Sequence, residues 1–168
     1  MDFRFGKNHS TRTSLVYARS WCKTLDIVNF LWNSILDEVG DQEFIVAMEG
    51  LSFASNGNAL IDISMATALL RERIVGKIGS NNFFVYSPTS IKKFAIKGNA
   101  KKDQLYIALC ESGSEGENLN KFINLLKENQ SEWITPKGAV NKPIDDLVDA
   151  TWIALYLKSE VENKKIVK

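Results

Sequence analysis

Two short apolar runs, set among long stretches with helical periodicity, constrain the fold of this 168-residue chain most strongly. Residues 44–48 and 83–86 are made almost entirely of aliphatic and aromatic residues, and each run is only four or five residues long. Short unbroken apolar runs are typical of strands that other elements cover on both faces. Because such strands alternate here with helices, the sequence predicts an α/β domain whose sheet lies between helices.

The helical stretches are marked by apolar residues three and four positions apart. The clearest stripe, which predicts a long first helix ending at Gly40, consists of Trp21, Leu25, Val28, Trp32, Ile35 and Val39. Further helices are predicted over residues 59–78, 88–94, 101–111, 118–129 and 143–160. An alternating segment at residues 2–5 predicts an N-terminal strand, so we expect few strands in all, about three. We interpret the chain as a single domain: residues 1–43 form a strand and a long helix, residues 44–160 the core and residues 161–168 a charged tail.

Composition narrows the function classes. Hydrophobic residues make up 45% and charged residues 24% of the chain, which argues against extended disorder. A formal net charge of +1 means that the chain has no overall basic excess of the kind seen in histone-like nucleic-acid binders. A local basic face is still compatible with this net charge. No apolar run approaches the roughly 20 residues that span a bilayer, and the N-terminus carries no secretory signal, so we expect a cytoplasmic protein without membrane contact.

The two cysteines, Cys22 and Cys110, lie within apolar helical patterns. We therefore expect reduced core residues and no disulfide. With His9 as the single histidine, a zinc site built from Cys and His is also excluded.

Acidic residues carry the clearest chemical signal. Glu49 directly follows the first apolar run, at the strand end where open α/β sheets bind ligands. Asp145, Asp146 and Asp149 occupy the first turns of the last predicted helix, and spacings of three and four residues bring their carboxylates to one face. Converging carboxylates near a core repel one another unless a hard cation such as Mg²⁺ or Mn²⁺ neutralises them. A simpler interpretation is that acids in a first helical turn only interact with the helix dipole.

A lysine-rich segment accompanies the acids. Between residues 92 and 102 there are five lysines and no acid, and the lysines flank a Gly98-Asn99 turn. They are Lys92, Lys93, Lys97, Lys101 and Lys102. This segment is suited to following a sugar-phosphate chain, although a lysine run can also be no more than a solvated face. Phe53, in the loop after Glu49, is either an aromatic that stacks on an unpaired base or a core residue.

Four of these segments, in this order, resemble the RuvC-type Holliday-junction resolvases of the RNase H-like superfamily. The first is Val46–Glu49 with Phe53 and the 59–73 helix. The second is Phe84–Pro88 with Ile91-Lys92-Lys93, which resembles the family's YxPxxVKK stretch. The third is Gly98–Leu105, which resembles GxGxAxKxQV, and the fourth is Asp145–Ala150, which resembles DxxDALAIA. The resemblance implies an RNase H-like mixed sheet flanked by helices.

The resemblance also implies roles for individual residues. Glu49, Asp146 and Asp149 would be catalytic, metal-binding carboxylates, with Asp145 a neighbour of or substitute for Asp146. Lys102 and Lys92 match the family's phosphate-side lysines, and Phe53 matches its stacking aromatic. The implied activity is a structure-selective endonuclease that uses two Mg²⁺ or Mn²⁺ ions per site to nick four-way DNA junctions during recombination and repair. It would act as a homodimer through the 59–78 helix, in a bacterial or phage-infected cell.

One departure from the family pattern leaves alternatives open. The family begins with a hydrophobic strand that ends in a GIDxG/S acid, whereas this chain begins Met1-Asp2-Phe3-Arg4-Phe5. The first metal-binding acid is therefore missing from this chain. A non-catalytic RNase H-like module that binds nucleic acid or joins a larger complex is the second hypothesis. A domain that binds only protein, in which the acids cap a helix, is the third.

Overall fold

The computed structural model describes residues 10–50, 58–113 and 116–163, although not the side chains of residues 10–20, 58–60 and 62. Helices make up 71% of the structure, and the described strands form one small two-stranded parallel sheet. The chain forms two compact units, one of residues 1–46 and 51–83 and one of residues 47–50 and 84–168. None of the described helices is both long enough and apolar enough to cross a membrane.

The first unit is built on a pair of packed helices, α1 (Ser10–Val39) and α2 (Asn58–Ile78). Val28 of α1 and Ile74 of α2 are the most deeply buried apolar side chains of this pair. Helix α1 ends at Gly40, whose φ of 56° is readily adopted only by glycine and whose N–H donates to Leu36 O at 2.9 Å. Among the described elements, α1 packs mainly against α2, and part of its surface is exposed to solvent: Phe30 is 71% exposed.

The sheet pairs β1 (Val46–Glu49) with β2 (Phe83–Tyr86), and all but the first residue of each strand belongs to the second unit. A single 3₁₀ turn, Ser80–Asn82, precedes β2. The main chain continues the pairing one residue past β1, where Gly50 N–H donates to Tyr86 O at 2.7 Å. A Cβ atom at Gly50 would lie 3.4 Å from that oxygen, an ordinary van der Waals contact, so the pairing itself does not require glycine.

Five helices complete the second unit: α3 (Pro88–Ala95), α4 (Lys102–Glu111), α5 (Glu117–Glu128), α6 (Gln130–Trp133) and α7 (Ile144–Glu162). Ser87 caps α3 by accepting a hydrogen bond from Ser90 N–H, and Pro88 occupies the first turn, as the sequence predicts. Helix α7 contacts both α3 and α4, which makes it the central helix of the unit.

The core of the second unit lies between α4, α5 and α7. Leu109 and Leu126 are fully buried, and Val148 is 1% exposed. Two hydrogen bonds fix the helices at this core: Trp152 Nε1 donates to Leu105 O at 3.1 Å, and the Tyr106 hydroxyl donates to Leu126 O. Each satisfies a polar group that burial would otherwise leave without a partner.

The coarse fold class is confirmed, because the structure is mixed α and β. The predicted helices and both internal strands are present, with bounds shifted by one or two residues except at the start of α1, which begins well before its predicted apolar stripe; the sequence did not predict α6. The structure differs in how far the strands are covered: β1 and β2 are only partly buried, and Ile45 is 41% exposed. The physical reason is that the described sheet has two strands, so each strand has a free edge. The strand predicted at residues 2–5 lies outside the described residues.

The prediction for the cysteines is only partly correct. Cys110 is partly buried beside the core of the second unit, whereas Cys22 is exposed. Trp21 is 39% exposed although it belongs to the predicted apolar stripe, whereas Thr24, three residues further along α1, is buried. An amphipathic pattern shows which face of a helix is apolar, but it does not show how completely a partner covers each residue on that face.

Two adjacent leucines of α5 test the packing of the second unit. Leu126 is fully buried, whereas Leu125 is 48% exposed. We expect Leu126→Ala to lower the free energy of unfolding by about 2–5 kcal/mol, because it removes buried methyl groups and leaves a cavity, and Leu125→Ala to change it by less than about 1 kcal/mol. Urea unfolding of the two variants measures both values. Equal losses would contradict the orientation of α5.

Candidate functional site

The beginning of α7 places two of the predicted acids in contact with one lysine. Asp145 and Asp149 are four residues apart, so their side chains lie one above the other on the helix. Lys102 Nζ donates a hydrogen bond to Asp145 Oδ2 and lies 3.6 Å from Asp149 Oδ2. The side chain of Asp145 is only 6% exposed and that of Asp149 is 34% exposed. The ammonium group therefore lies against one buried and one half-buried carboxylate.

Packing between α4 and α7 produces this contact. Lys102 is the first residue of α4, and Leu105, one turn further along, accepts the hydrogen bond from Trp152 of α7. Lys101 N–H, just before the helix, donates to Gln104 Oε1 at 3.0 Å and so satisfies one of the free donors at the helix start. The start of α4 is thereby held beside the first two turns of α7.

The carboxylate of Asp146 pairs with Lys142 and not with Lys102. Its two carboxylate oxygens accept hydrogen bonds from Lys142 Nζ at 2.8 and 2.7 Å, and its side chain is 57% exposed. Lys142 also lies 3.8 Å from Asp145 Oδ1. The sequence offered Asp146 and Asp149 as one pair and Asp145 as a substitute. The structure groups Asp145 with Asp149 and places Asp146 on the solvent side.

Glu49 and Lys92 belong to the same neighbourhood. Glu49 ends β1, as predicted, and its carboxyl interacts electrostatically with Asp149, Lys92 and Lys102. Lys92 lies in α3 and also acts on Asp149. Residues from β1, α3, α4, α7 and the turn before α7 therefore form one charged cluster, which we call the acid–lysine cluster: Glu49, Lys92, Lys102, Lys142, Asp145, Asp146 and Asp149.

Hydrogen bonds hold the end of β1 in place relative to α7. Gly50, which follows Glu49, is bonded to the main chain of Tyr86. The Tyr86 hydroxyl in turn donates to Glu160 Oε2 of α7 at 2.9 Å, and the Tyr86 ring lies 4.7 Å from that of Tyr156. The strand that carries Glu49 is thus tied to the helix that carries the aspartates, even though the sheet itself is small.

Within the cluster, the pKa values of Glu49 and Asp149 are raised and that of Asp145 is lowered. Desolvation raises the pKa of Glu49, and the neighbouring Asp149 raises it further, against the opposing effect of Lys92 and Lys102. Burial also raises the pKa of Asp149 despite the same two lysines. Burial alone would raise the pKa of Asp145, but the hydrogen bond and charge of Lys102, together with Lys142, hold that pKa below its ordinary value of 3.8.

The donor chemistry of the cluster suits a hard divalent cation. Its ligands are carboxylate oxygens, and Glu49 and Asp149, whose charges are the least compensated, are the two that a cation would relieve most. In the part of the chain that the structure describes, no three acidic, histidine or cysteine side chains gather closely enough to hold a metal ion. The cation that the structure places among these carboxylates is the ammonium of Lys102.

The other residues predicted to bind nucleic acid are close in sequence to Lys92 and Lys102 of the acid–lysine cluster. Gly98 and Asn99 form a turn, as predicted, between α3 and α4. Lys93, Lys97 and Lys101 are exposed, and none of them forms an ion pair with another described residue. Three ammonium groups are therefore open to solvent next to the segment that carries Lys92 and Lys102. Phe53 lies outside the described residues.

Sequence reasoning missed Lys142 and the pairing of Lys102 with the acids. A sequence signal for Lys142 is present, because it lies only four residues before Asp146, in the turn that leads into α7, and can reach its carboxylate from there. The pairing of Lys102 has no local signal, since 43 residues separate it from Asp145.

Comparison with known proteins does not assign the chain to a family: no protein-family model, no curated protein and no solved structure matches it.

The opposite pKa shifts of two aspartates on one helix predict opposite effects on stability. A lowered folded pKa means that ionised Asp145 stabilises the fold above its unfolded pKa, and this contribution is lost as the pH falls through the folded value. We expect Asp145→Asn to lower the free energy of unfolding at pH 7 by about 1–3 kcal/mol, because a charged hydrogen bond is lost. The deficit should shrink below about pH 4, the ordinary aspartate range.

Asp149→Asn should act in the other direction. A raised folded pKa means that ionising Asp149 destabilises the fold, increasingly as the pH rises from the ordinary 3.8 through the folded value. The variant should therefore be more stable than the wild type at pH 7 and equal to it at low pH. Asp146→Asn is the control, since its exposed pair with Lys142 should contribute at most about 1 kcal/mol. Denaturant unfolding between pH 3 and 7 measures all three variants, and a loss of stability for Asp149→Asn at pH 7 would contradict the arrangement of the charges.

Proposed function

We propose that this chain is a divalent-metal-dependent endonuclease that nicks branched DNA, in the manner of the RuvC-type resolvases that its sequence resembles. One observation carries the proposal. Glu49, Lys92, Lys102 and Asp149 come from four separate segments, each matched to a family motif by sequence alone, and they interact with one another in the fold. A random set of charged residues, spread over 100 positions of the chain, would not be expected to converge at the end of a strand and the start of a helix.

The residues have distinct tasks in this proposal. The exposed Lys93, Lys97 and Lys101 bind DNA phosphates, which gives affinity without reading the base sequence. Lys92 and Lys102 hold the phosphate chain next to the acids. Glu49 and Asp149, with Asp145 or Asp146, would hold Mg²⁺ or Mn²⁺. Such ions, two per site in the complete family arrangement, supply an activated water and stabilise the leaving oxygen of a phosphodiester.

The proposal extends to assembly and cellular setting. A homodimer formed through α2 would present two sites to opposed strands of a four-way junction. Recombination and repair of DNA in the cytoplasm of a bacterial or phage-infected cell would be the setting for such an activity.

A second function is favoured by a specific observation. Lys102 and Lys142 pair with Asp145, Asp146 and Asp149, and the described residues provide no three-ligand group. A cluster that its own lysines neutralise is what a non-catalytic module requires, because it can present Lys93, Lys97 and Lys101 to nucleic acid without cutting it. This module would bind branched or single-stranded nucleic acid, or join a larger complex.

Cleavage of a labelled four-way junction separates the two functions. With Mg²⁺ or Mn²⁺, we expect wild-type protein to nick the junction and leave linear duplex of the same sequence intact. Glu49→Gln and Asp149→Asn should each lower the nicking rate by at least about a hundredfold, in the range of effects known for single catalytic groups. Glu128→Gln, which changes an exposed acid of α5, is the matched control and should leave the rate unchanged. An intact junction at every metal concentration, bound tightly by the wild type, would favour the non-catalytic module.

Salt dependence tests the lysine assignment independently of cleavage. Each phosphate contact contributes a slope of roughly −0.9 to the dependence of log affinity on log salt concentration for duplex DNA. We therefore expect Lys93→Gln and Lys97→Gln each to make the slope less negative by roughly 0.9, the contribution of one phosphate contact. Lys121→Gln, which removes a lysine paired with Glu117 on α5, should leave it unchanged. Fluorescence anisotropy at several salt concentrations measures the slopes, and identical slopes for all variants would remove these lysines from the DNA interface.

A further inference from the structure

A cavity with an aromatic wall opens on the surface of the second unit. It has a volume of about 280 Å³ and lies between α3, α5 and α7. Four side chains from these helices form its apolar wall: Phe94, Leu119, Trp152 and Leu155. Trp152 is 6% exposed, whereas Phe94 is 41% exposed and is the most accessible of the four. A ligand that enters the cavity therefore meets the ring of Phe94.

The ring of Phe94 is held in place although it is exposed. It meets Trp152 edge to face, with the ring centroids 6.2 Å apart, and it lies 5.1 Å from the ring of Tyr156. Trp152 is itself fixed by the hydrogen bond that its indole donates to Leu105 O. Such ring contacts favour particular geometries. Because the ring is already positioned, a planar ligand that stacks on it orders little more of the protein.

Phe94 lies within the lysine-rich segment. Lys93 precedes it and Lys97 follows three residues later, and both are exposed without an ion pair to any other described residue. An exposed aromatic ring beside uncompensated ammonium groups suits a ligand that is anionic and also carries a flat apolar ring. Single-stranded nucleic acid combines these properties, since its phosphates are charged and its unpaired bases can stack on aromatic side chains. A base inside a duplex is not available for such stacking, because it is paired and stacked on its neighbours.

The cavity also offers polar groups to the edge of a base. Ser112 and Ser159 line it, and the hydroxyl of each donates to a main-chain carbonyl at 2.8 Å, which leaves its oxygen able to accept. Lys158 and Glu162, which pair at 3.5 Å, add a donor and an acceptor. A nucleobase carries both donors and acceptors on its edge and can use such a lining, whereas a purely apolar ligand cannot.

Helix α7 connects this cavity to the acid–lysine cluster. Trp152 and Leu155 follow Asp149 by three and six residues, so the cavity begins within about 9 Å of Asp149 along the helix. A base held in the cavity would thus keep the adjoining sugar-phosphate chain close to the acids.

We propose that Phe94 is a stacking platform for an unpaired nucleobase, which enters the cavity between α3, α5 and α7 while Lys93 and Lys97 bind the flanking phosphates. This inference rests on the nucleic-acid binding that both proposed functions share. It adds the structural feature that the interface recognises, an unpaired base, and the residue that recognises it.

Binding of three labelled DNA probes to the full-length protein tests the platform without measuring cleavage. The probes are an oligothymidylate single strand, a strand of the same length made of abasic sites, and a duplex, and fluorescence anisotropy gives the affinities. Phe94→Leu keeps an apolar side chain but removes the ring, and it should lower the affinity for oligothymidylate by about tenfold, the range of one base–aromatic stack. Its affinities for the abasic strand and the duplex should change by less than about twofold, and the salt slope should stay the same, because no phosphate contact is lost.

Two further variants separate stacking from a general loss of structure. Phe94→Tyr keeps an aromatic ring and should bind oligothymidylate within about twofold of the wild type. Ile96→Ala removes an exposed apolar side chain next to the same lysines and outside the cavity wall, and should leave all three affinities unchanged. Thermal unfolding confirms that each variant is folded under the conditions of the binding measurement.

The outcomes distinguish this inference from the proposed function. An unchanged affinity of Phe94→Leu for oligothymidylate, or an equal loss on oligothymidylate and the abasic strand, would overturn the stacking platform and leave the proposed nucleic-acid binding intact. Absence of binding to all three probes by the wild type would overturn both.

Discussion

The packing of α4 against α7 is the interaction on which the candidate site depends. Leu105, Leu109, Val148 and Trp152 are all buried, and the Trp152 indole is bonded to the carbonyl of Leu105. This apolar contact supplies most of the stabilisation between the two helices, since burial of each large side chain contributes roughly 1.5–3 kcal/mol. The ion pairs at its end add less, because Lys102 is half exposed to solvent. The hydrophobic contact therefore fixes the geometry, and the charges take the positions that it leaves them.

Local signals in the sequence were sufficient to predict the helices and strands of the second unit, apart from the four-residue α6. Ser87 and Pro88 mark the start of α3, and the Gly98-Asn99 turn separates it from α4, because caps and turns depend on a few adjacent residues. The limits appear where a feature depends on distant partners. Cys22 is exposed although Thr24, two residues further along α1, is buried, and the spacing within α1 does not show which of its residues a partner covers.

In the candidate site, too, the features that the sequence did not predict depend on contacts between distant residues. The convergence of Glu49 with the aspartates was predicted only through a family resemblance, because the contacts join residues about 100 positions apart. The choice between Asp145 and Asp146 could not be made from spacing, since either residue can share a face with Asp149. The fold makes the choice through burial: Asp145 lies 6% exposed against α4, and Asp146 lies 57% exposed beside Lys142. Burial alone would raise the pKa of Asp145, and the hydrogen bond and charge of Lys102, together with Lys142, lower it below its ordinary value.

The near-zero net charge of the chain hides an uneven distribution of charge, which the acid–lysine cluster makes visible. Four carboxylates and three ammonium groups meet in the cluster, while Lys93, Lys97 and Lys101 remain exposed close by in the sequence. A net charge of +1 therefore conceals a charged, internally compensated site beside an uncompensated basic segment. Such compensation allows the acids to lie next to a core, because buried like charges would otherwise lower stability or take up protons. The requirement is met by lysines from two other places in the sequence, Lys102 and Lys142.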